Sequence, residues 1–431
     1  MPLTSEQIDE ATSNGWPMAV INRSDDLFYP YWLSFERPSD TVVRALGLYI
    51  AGVMLISVVG NAFVIVGLVR STAALDIFTV NIALSDLISP LLTYPLFVAS
   101  SFAGWWQFSK TACSAYAIIQ GCSGLVSMCT LACTTMERYA AVAAPDSRWN
   151  NMSNKKKFAI VAALWLYCFV VLAPPMIGFG DYAAAGFLTT CCFDYTKRAW
   201  RTRAFIAYMY TFGFIVPILV VMVAYAKIII AAKRHADEVR QMLRDKMESV
   251  GGMMALLSVA GGGNFGVESS RRLSSVCART TASEPTPIYN EMKKVQMFVT
   301  VIALFCVGWL PYGVVALIGQ FSPYEITVRP WWAMLPSMLA KTTTTFNPIY
   351  FAWKHSAVKH LINEFMECLG CTAPTEHARR LSTFIFTMPD WSGRSVRSVS
   401  SIGSRRPTQK RPSTAADVNT PSIVVDPSID G

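Results

Sequence analysis

The sequence predicts an all-α membrane protein, a seven-transmembrane helix bundle with a short amphipathic helix after the seventh span. Three observations carry that prediction. Hydrophobic residues make up 53% and charged residues 15% of the 431 positions, with mean hydropathy +0.37, the composition of a chain that resides in lipid. Apolar stretches of about the 20 residues needed to cross a bilayer occur at 45–70, 77–102, 112–136, 157–179, 204–230, 295–319 and 330–353. Lysine and arginine concentrate after every second stretch, the asymmetry that orients membrane helices.

Each stretch satisfies its own backbone as a helix, as hydrocarbon demands. The first lacks a small-residue cleavage site and reads as a retained span, not a leader. Arg70, "RWNNMSNKKK" (148–157), "KRHADEVRQMLRDK" (233–246) and "KHSAVK" (354–359) fall on one side. That places the N-terminus outside and the C-terminus in the cytoplasm of a multi-pass plasma-membrane protein. The basic segment "KRAWRTR" (197–203) lies on the outer side and opposes this assignment. Residues 1–44 form an extracellular segment and 45–366 the seven-helix domain. That domain includes a long cytoplasmic loop, 234–291, with a Gly-rich, flexible centre. Residues 367–431 form a disordered tail rich in Ser, Thr and Arg. Asn22-Arg23-Ser24 is a glycosylation acceptor on the outer side. The net charge of +9 comes largely from cytoplasmic segments and reads as contact with anionic lipid, not nucleic acid.

Lys341 stands in the middle of the last apolar run. A lysine at the centre of a membrane helix is unfavourable by about 2.5–3.5 kcal/mol. The helix ends are too far for its stem to carry the charge to water. It is therefore either paired with a carboxylate on another helix or used chemically. Other polar residues are also placed within spans: Asn61, Asp86, Trp165, Pro217 and Tyr225. Glu137-Arg138-Tyr139 closes the third span, "FCVGWLPYG" (305–313) lies in the sixth and "NPIYF" (347–351) in the seventh. Singly, these are packing glue, kinks and core aromatics.

Together and in this order, over 45–366, they resemble the rhodopsin-like G-protein-coupled receptors. Lys341, six residues before Asn347, resembles the opsin lysine that holds retinal as a Schiff base. "GFLTTCCFDY" (186–195) is similar to the opsin loop that caps retinal. A buried amine condensing with an aldehyde is sound chemistry for that position. The resemblance implies a pocket lined by Trp309, Tyr312, Tyr116, Phe214 and Met209, with Gly121 and Gly124 leaving room beside the polyene. It implies a disulfide between Cys113 and Cys191, with the adjacent Cys192 a rival. Of the eleven cysteines, Cys122, Cys129, Cys133, Cys168 and Cys306 read as small buried hydrophobes. Cys368 and Cys371, after an amphipathic stretch, read as palmitoylation sites or free cytosolic thiols.

On the cytoplasmic side the resemblance gives Glu137, Arg138, Tyr139, Glu291, Asn347 and Pro348 to G-protein activation. Glu291 would pair with Arg138 across helices three and six. One departure stands out: the family pattern Asn-Pro-x-x-Tyr ends here in Phe351, which lacks the hydroxyl for a water-linked contact with Tyr225. A second concerns charge. The two positions where opsins carry a carboxylate counterion for the Schiff base are Tyr116 and Ala185. Asp181, Asp194 and Glu325 are the remaining loop carboxylates to consider, with Asp194 the nearest by sequence, and chloride held near Ser114, Tyr116 and Ser337 is a candidate substitute.

The expected function is a light-activated G-protein-coupled receptor. Its cofactor is 11-cis retinal, with chloride as a candidate second, and no metal site is expected. The expected partners are a heterotrimeric G protein, of the Gq class by likeness to invertebrate-type and melanopsin-type opsins, with arrestin and a receptor kinase at the tail. A non-signalling retinal photoisomerase is the enzymatic alternative. A light-driven ion pump is disfavoured, since helix three has no mid-membrane carboxylate relay.

Overall fold

The computed structural model describes residues 3–23, 27–70, 76–144, 146–150, 152–260, 287–322 and 327–368. Glu325, Cys371 and the tail beyond 368 lie outside the described residues, as do the side chains of Glu291 and Cys368. The chain divides into units 1–373 and 374–431, and everything below concerns the first.

Span one is Asp40–Arg70 and span three is Lys110–Ala143. Span two, Ile77–Ala103, is broken at Thr93 into Ile77–Leu92 and Tyr94–Ala103. Pro95 is the cause: its ring conflicts with the carbonyl one turn back, and Thr93 turns its hydroxyl onto the Ser89 carbonyl at 2.7 Å. Asp76 caps the start of this span by accepting from the amides of Phe78 and Thr79. Gly104, at φ +90°, ends it in the left-handed conformation.

Span four, Asn154–Leu172, stops seven residues before the apolar stretch does. Pro174 and Pro175 divert the chain into a 3-10 turn, Pro174–Ile177. Span five begins as Trp200–Tyr210, widens into a π turn over Thr211–Ile215, and continues as Val216–Ala260. Pro217 has no N–H for the turn before it, and a π turn is one way a helix absorbs that loss. Residues 234–260, read from sequence as the opening of a cytoplasmic loop with a charged helical start and then a Gly-rich stretch, continue this helix as far as Ala260.

Span six is Pro287–Phe321. Span seven runs Pro330–Thr342, tightens to a 3-10 turn at Thr343–Thr345, and resumes as Phe346–Lys354. Pro348 cannot donate to the Thr344 carbonyl; Asn61 of span one does so in its place, at 3.0 Å. The amphipathic helix that follows is Ser356–Cys368. Among the described residues, five helices are long and apolar enough to cross a membrane by length and composition alone. Span four carries three lysines in its first turn, and span seven is divided by its 3-10 turn.

The spans pack through small and polar residues, as lipid-embedded helices do. A Cβ added to Gly47 of span one would lie 2.7 Å from Ser101 Cβ of span two. Trp165 of span four donates to Asn81 of span two at 3.0 Å, and Asn81 donates to Thr130 of span three at 2.8 Å. Buried apolar side chains form one cluster toward the N-terminal face, with Phe97, Trp106, Tyr116, Leu172 and Met209, and another toward the opposite face, with Met128, Leu131, Phe298 and Phe351.

The N-terminal face is closed by two layers. The inner one is an antiparallel hairpin of β1 (Tyr182–Ala185) and β2 (Thr190–Phe193), in which Ala184 pairs with Cys191 and Ala183 with Cys192. Above it lie three short helices, Ser5–Ser13, Met18–Ile21 and Pro30–Leu33. This segment is folded onto the bundle: Leu27 and Trp32 are fully buried, Ala184 N donates to the Leu27 carbonyl at 3.2 Å, and Tyr31 donates to the Val328 carbonyl at 2.9 Å. Arg23 donates to the carbonyls of Trp106 and Phe108, at 3.2 and 2.6 Å.

Candidate functional site

Lys341 is 4% exposed, at the end of the first segment of span seven. Its Nζ donates to Ser337 Oγ at 3.0 Å. The two are four residues apart and so share one helix face. The same Nζ lies over the ring of Phe97 from span two, 6.0 Å from its centre, and over that of Tyr116 from span three, at 5.9 Å. Tyr94, three residues before Phe97, donates to the Lys341 carbonyl at 2.7 Å and fixes span two against span seven. Among the described residues no carboxylate lies within ion-pair distance of this amine.

The residues considered as a counterion region separate. Tyr116 accepts a hydrogen bond from Thr190 of β2 at 3.1 Å and packs edge-on against Trp106 at 5.2 Å. Ala185 contributes only a buried methyl beside Thr190. Ser114 is two residues from Tyr116 and therefore points away from it around the helix; no described contact brings it to Lys341. Asp194 is committed to its loop. Its Oδ1 accepts from Thr196 N at 2.8 Å, Thr196 Oγ1 at 2.7 Å and Lys197 N at 3.2 Å. Burial nonetheless pushes that carboxyl above its usual range.

Trp309 sits deeper in the bundle. Its indole donates to Thr343 Oγ1 at 3.2 Å and stacks on Phe305 at 5.7 Å. Gly124 makes this possible, because a Cβ there would lie 2.6 Å from the Trp309 ring. Gly121, given to the pocket by the resemblance, lies against span four, where a Cβ would meet Leu172 at 2.8 Å. Tyr312 packs edge-on against Phe193 and Tyr195 of the capping loop, at 6.0 and 6.4 Å. Met209 joins the cluster toward the N-terminal face, whereas Phe214 packs with Trp309 in the other cluster. Cys113 and Cys191 are bonded and Cys192 is a free thiol. Alternation along β2 puts Cys191 and Cys192 on opposite faces.

Below Trp309 a small polar cavity of about 10 Å³ is lined by Asp86, Ser89, Gln120, Ser127 and Thr343, among others. Asn347 donates to Asp86 at 2.7 Å and Ser127 donates to it at 3.3 Å. Pro348 sits against Gly60, whose added Cβ would lie 2.8 Å away. At the far face Glu137 accepts from Arg138 at 2.9 Å and from Lys157 of span four. Lys227 lies over the Tyr139 ring at 5.5 Å. Asn22 is exposed at the end of its short helix. Phe97, Tyr94 and Lys157 were not singled out from sequence. Phenylalanine and tyrosine in an apolar run give no signal, and Lys157 is one lysine among three in a row.

The donor set suits an apolar aldehyde held covalently: one buried amine, a hydroxyl beside it, aromatic faces around it and no bound acid among the described residues. Residues 60–351 match the family described as "7 transmembrane receptor (rhodopsin family)". The chain is 30% identical to "Rhodopsin" of Loligo forbesii over 349 residues, covering 80% of this chain and 70% of that one. It is 30% identical to "Rhodopsin, GQ-coupled" of Mizuhopecten yessoensis (81% and 64% covered) and 27% identical to "Melanopsin" of Homo sapiens (75% and 62% covered). The crystal structure of squid rhodopsin superposes with a TM-score of 0.66 at 26% identity, covering 86% of this chain and 98% of that one.

Proposed function

The chain belongs to the seven-transmembrane receptor (rhodopsin) family, and we propose on that footing that it is a light-activated receptor whose retinal is held by Lys341. It is a multi-pass membrane protein and a signalling receptor, not an enzyme; its chromophore is retinal and its partner a G protein. The observation that carries the assignment to Lys341 is a membrane-buried amine with a hydroxyl and two ring faces around it. When bound, retinal supplies a photon-driven change of shape. The chain's own residues do the rest. Lys341 is the point of attachment, Trp309 and Tyr312 bound the far end, and the β1–β2 hairpin keeps out water.

Toward the opposite face, Asn347 and Asp86 connect span seven to span two, and Arg138, held by Glu137, is the residue we assign to G-protein engagement. The finer reading is an 11-cis chromophore, chloride as the counterion, a Gq-class G protein, arrestin and a receptor kinase at the tail, and a plasma-membrane receptor with its N-terminus outside. The name of the scallop relative supports the Gq class.

The test is reconstitution with 11-cis-retinal. The wild type is expected to give a pigment and light-dependent nucleotide exchange on a Gq-class protein, and Lys341→Ala no pigment. A visible pigment retained in Lys341→Ala would overturn the attachment site. Exchange of chloride for bromide, iodide or a large non-binding anion tests the halide separately. A spectrum indifferent to anions at every pH rules it out.

A further inference from the structure

We propose that Phe97 and Tyr116 form an aromatic clamp that favours the charged form of the Lys341 nitrogen in the dark pigment, alongside the halide proposed as its counterion. The proposal rests on Lys341 as the attachment site and concerns what surrounds its nitrogen. Two ring faces approach Nζ from different helices, span two at 6.0 Å and span three at 5.9 Å. Both rings are buried, Phe97 at 0% and Tyr116 at 1% exposure. A cation within about 6 Å over a ring face is attracted by the ring quadrupole, most strongly where water is excluded.

Each ring is also fixed in place. Trp106 backs Tyr116 edge-on at 5.2 Å, and Thr190 tethers its hydroxyl toward β2, so that the ring face and not the oxygen is directed at the lysine. Phe97 is fully buried in the core, and Tyr94 one turn earlier holds its helix against span seven by donating to the Lys341 carbonyl. The described groups that meet the nitrogen are therefore Phe97 of span two, Tyr116 of span three and Ser337 of span seven; the Cys192 thiol of β2 is the titratable side chain nearby. None of these is a carboxylate. A buried cation left with no compensating partner is strongly disfavoured, and two oriented ring faces are what these residues offer it.

The experiment uses the full chain reconstituted with 11-cis-retinal, kept dark, and reads the pH at which half the visible absorbance is lost. Phe97 is replaced by phenylalanines carrying one, two and three ring fluorines, which keep its shape and progressively drain the ring face. Tyr116→Phe and Tyr116→Leu are measured alongside, all at one fixed chloride concentration. The midpoint is expected to fall with each added fluorine, to fall by about one pH unit in Tyr116→Leu, and to stay near wild type in Tyr116→Phe. A midpoint indifferent to fluorination overturns the clamp, as does a full shift from loss of the Tyr116 hydroxyl alone. If Tyr116→Leu does not fold, the fluorinated series, which alters no shape, decides the matter. Failure of the wild type itself to form a pigment would instead sink the attachment site, so the two failures are distinct.

Discussion

Replacing Cys191 should be far more damaging than replacing Cys192, although the two are neighbours in sequence. The bond from Cys113 closes a loop across 78 residues, for which the chain-entropy relation gives about 4.5 kcal/mol at 25 °C. That figure is an upper bound here, because spans three and four lie within the loop and the membrane already restrains them. Cys192 closes no loop. It sits across from Ala183 on the other face of β2, and its loss costs about 1 kcal/mol or less in packing. Converted at roughly 1 °C per kcal/mol for a chain of this size, Cys113→Ala and Cys191→Ala should each lower the thermal midpoint by up to about 5 °C, and Cys192→Ala by no more than about 1 °C. Intrinsic tryptophan fluorescence of the purified protein, followed during heating in one detergent, reads all three. Equal losses in Cys191→Ala and Cys192→Ala would refute the reasoning, since they would mean that strand alternation does not decide which thiol reaches Cys113.

Gly124→Ala should destabilise by about 1–3 kcal/mol, because the new Cβ would stand 2.6 Å from a rigid indole. Gly52→Ala, with nothing within 4 Å of its added Cβ, should instead gain up to about 1 kcal/mol of helix propensity, and the same melting assay compares them. Arg138→Ala should leave the dark spectrum unchanged, since it lies a helix length from Lys341, and remove light-dependent nucleotide exchange. Exchange at the wild-type rate would place the coupling surface elsewhere.

The spans were legible because lipid imposes a length and a composition, and both are written in runs such as 45–70 and 204–230. Their irregularities were not. The break at Thr93 and the π turn at Thr211–Ile215 are local answers to Pro95 and Pro217, and a proline announces a disturbance without saying which form it takes. The helix that continues to Ala260 carries glycines that read as a loop. The folded N-terminal segment was invisible for another reason. Trp16, Leu27 and Trp32 are buried by contacts with the hairpin and the span ends, and short apolar clusters give no hint of a distant partner. Within the site, Lys341 was conspicuous because a charge in lipid is costly, whereas Phe97 differs in no way from its apolar neighbours until the fold sets its face toward the amine. Gly121 and Gly124 were equivalent by residue type, and only helix phase sends one toward Leu172 and the other toward Trp309.

The double cover on the N-terminal face bears on traffic. A small water-soluble reagent such as hydroxylamine, approaching Lys341 from that side, meets the short helices first and the hairpin beneath them; the N-terminal segment is tied down by hydrogen bonds from Arg23 and Tyr31 to Trp106, Phe108 and Val328, and the hairpin by its disulfide to Cys113. An apolar aldehyde already dissolved in the bilayer meets neither and has only to slip between neighbouring helices. Loading and chemical attack therefore use different doors. Charging of the protein should follow the concentration of retinal in the lipid, and hydroxylamine should bleach the dark pigment slowly while the short helices and hairpin stay in place.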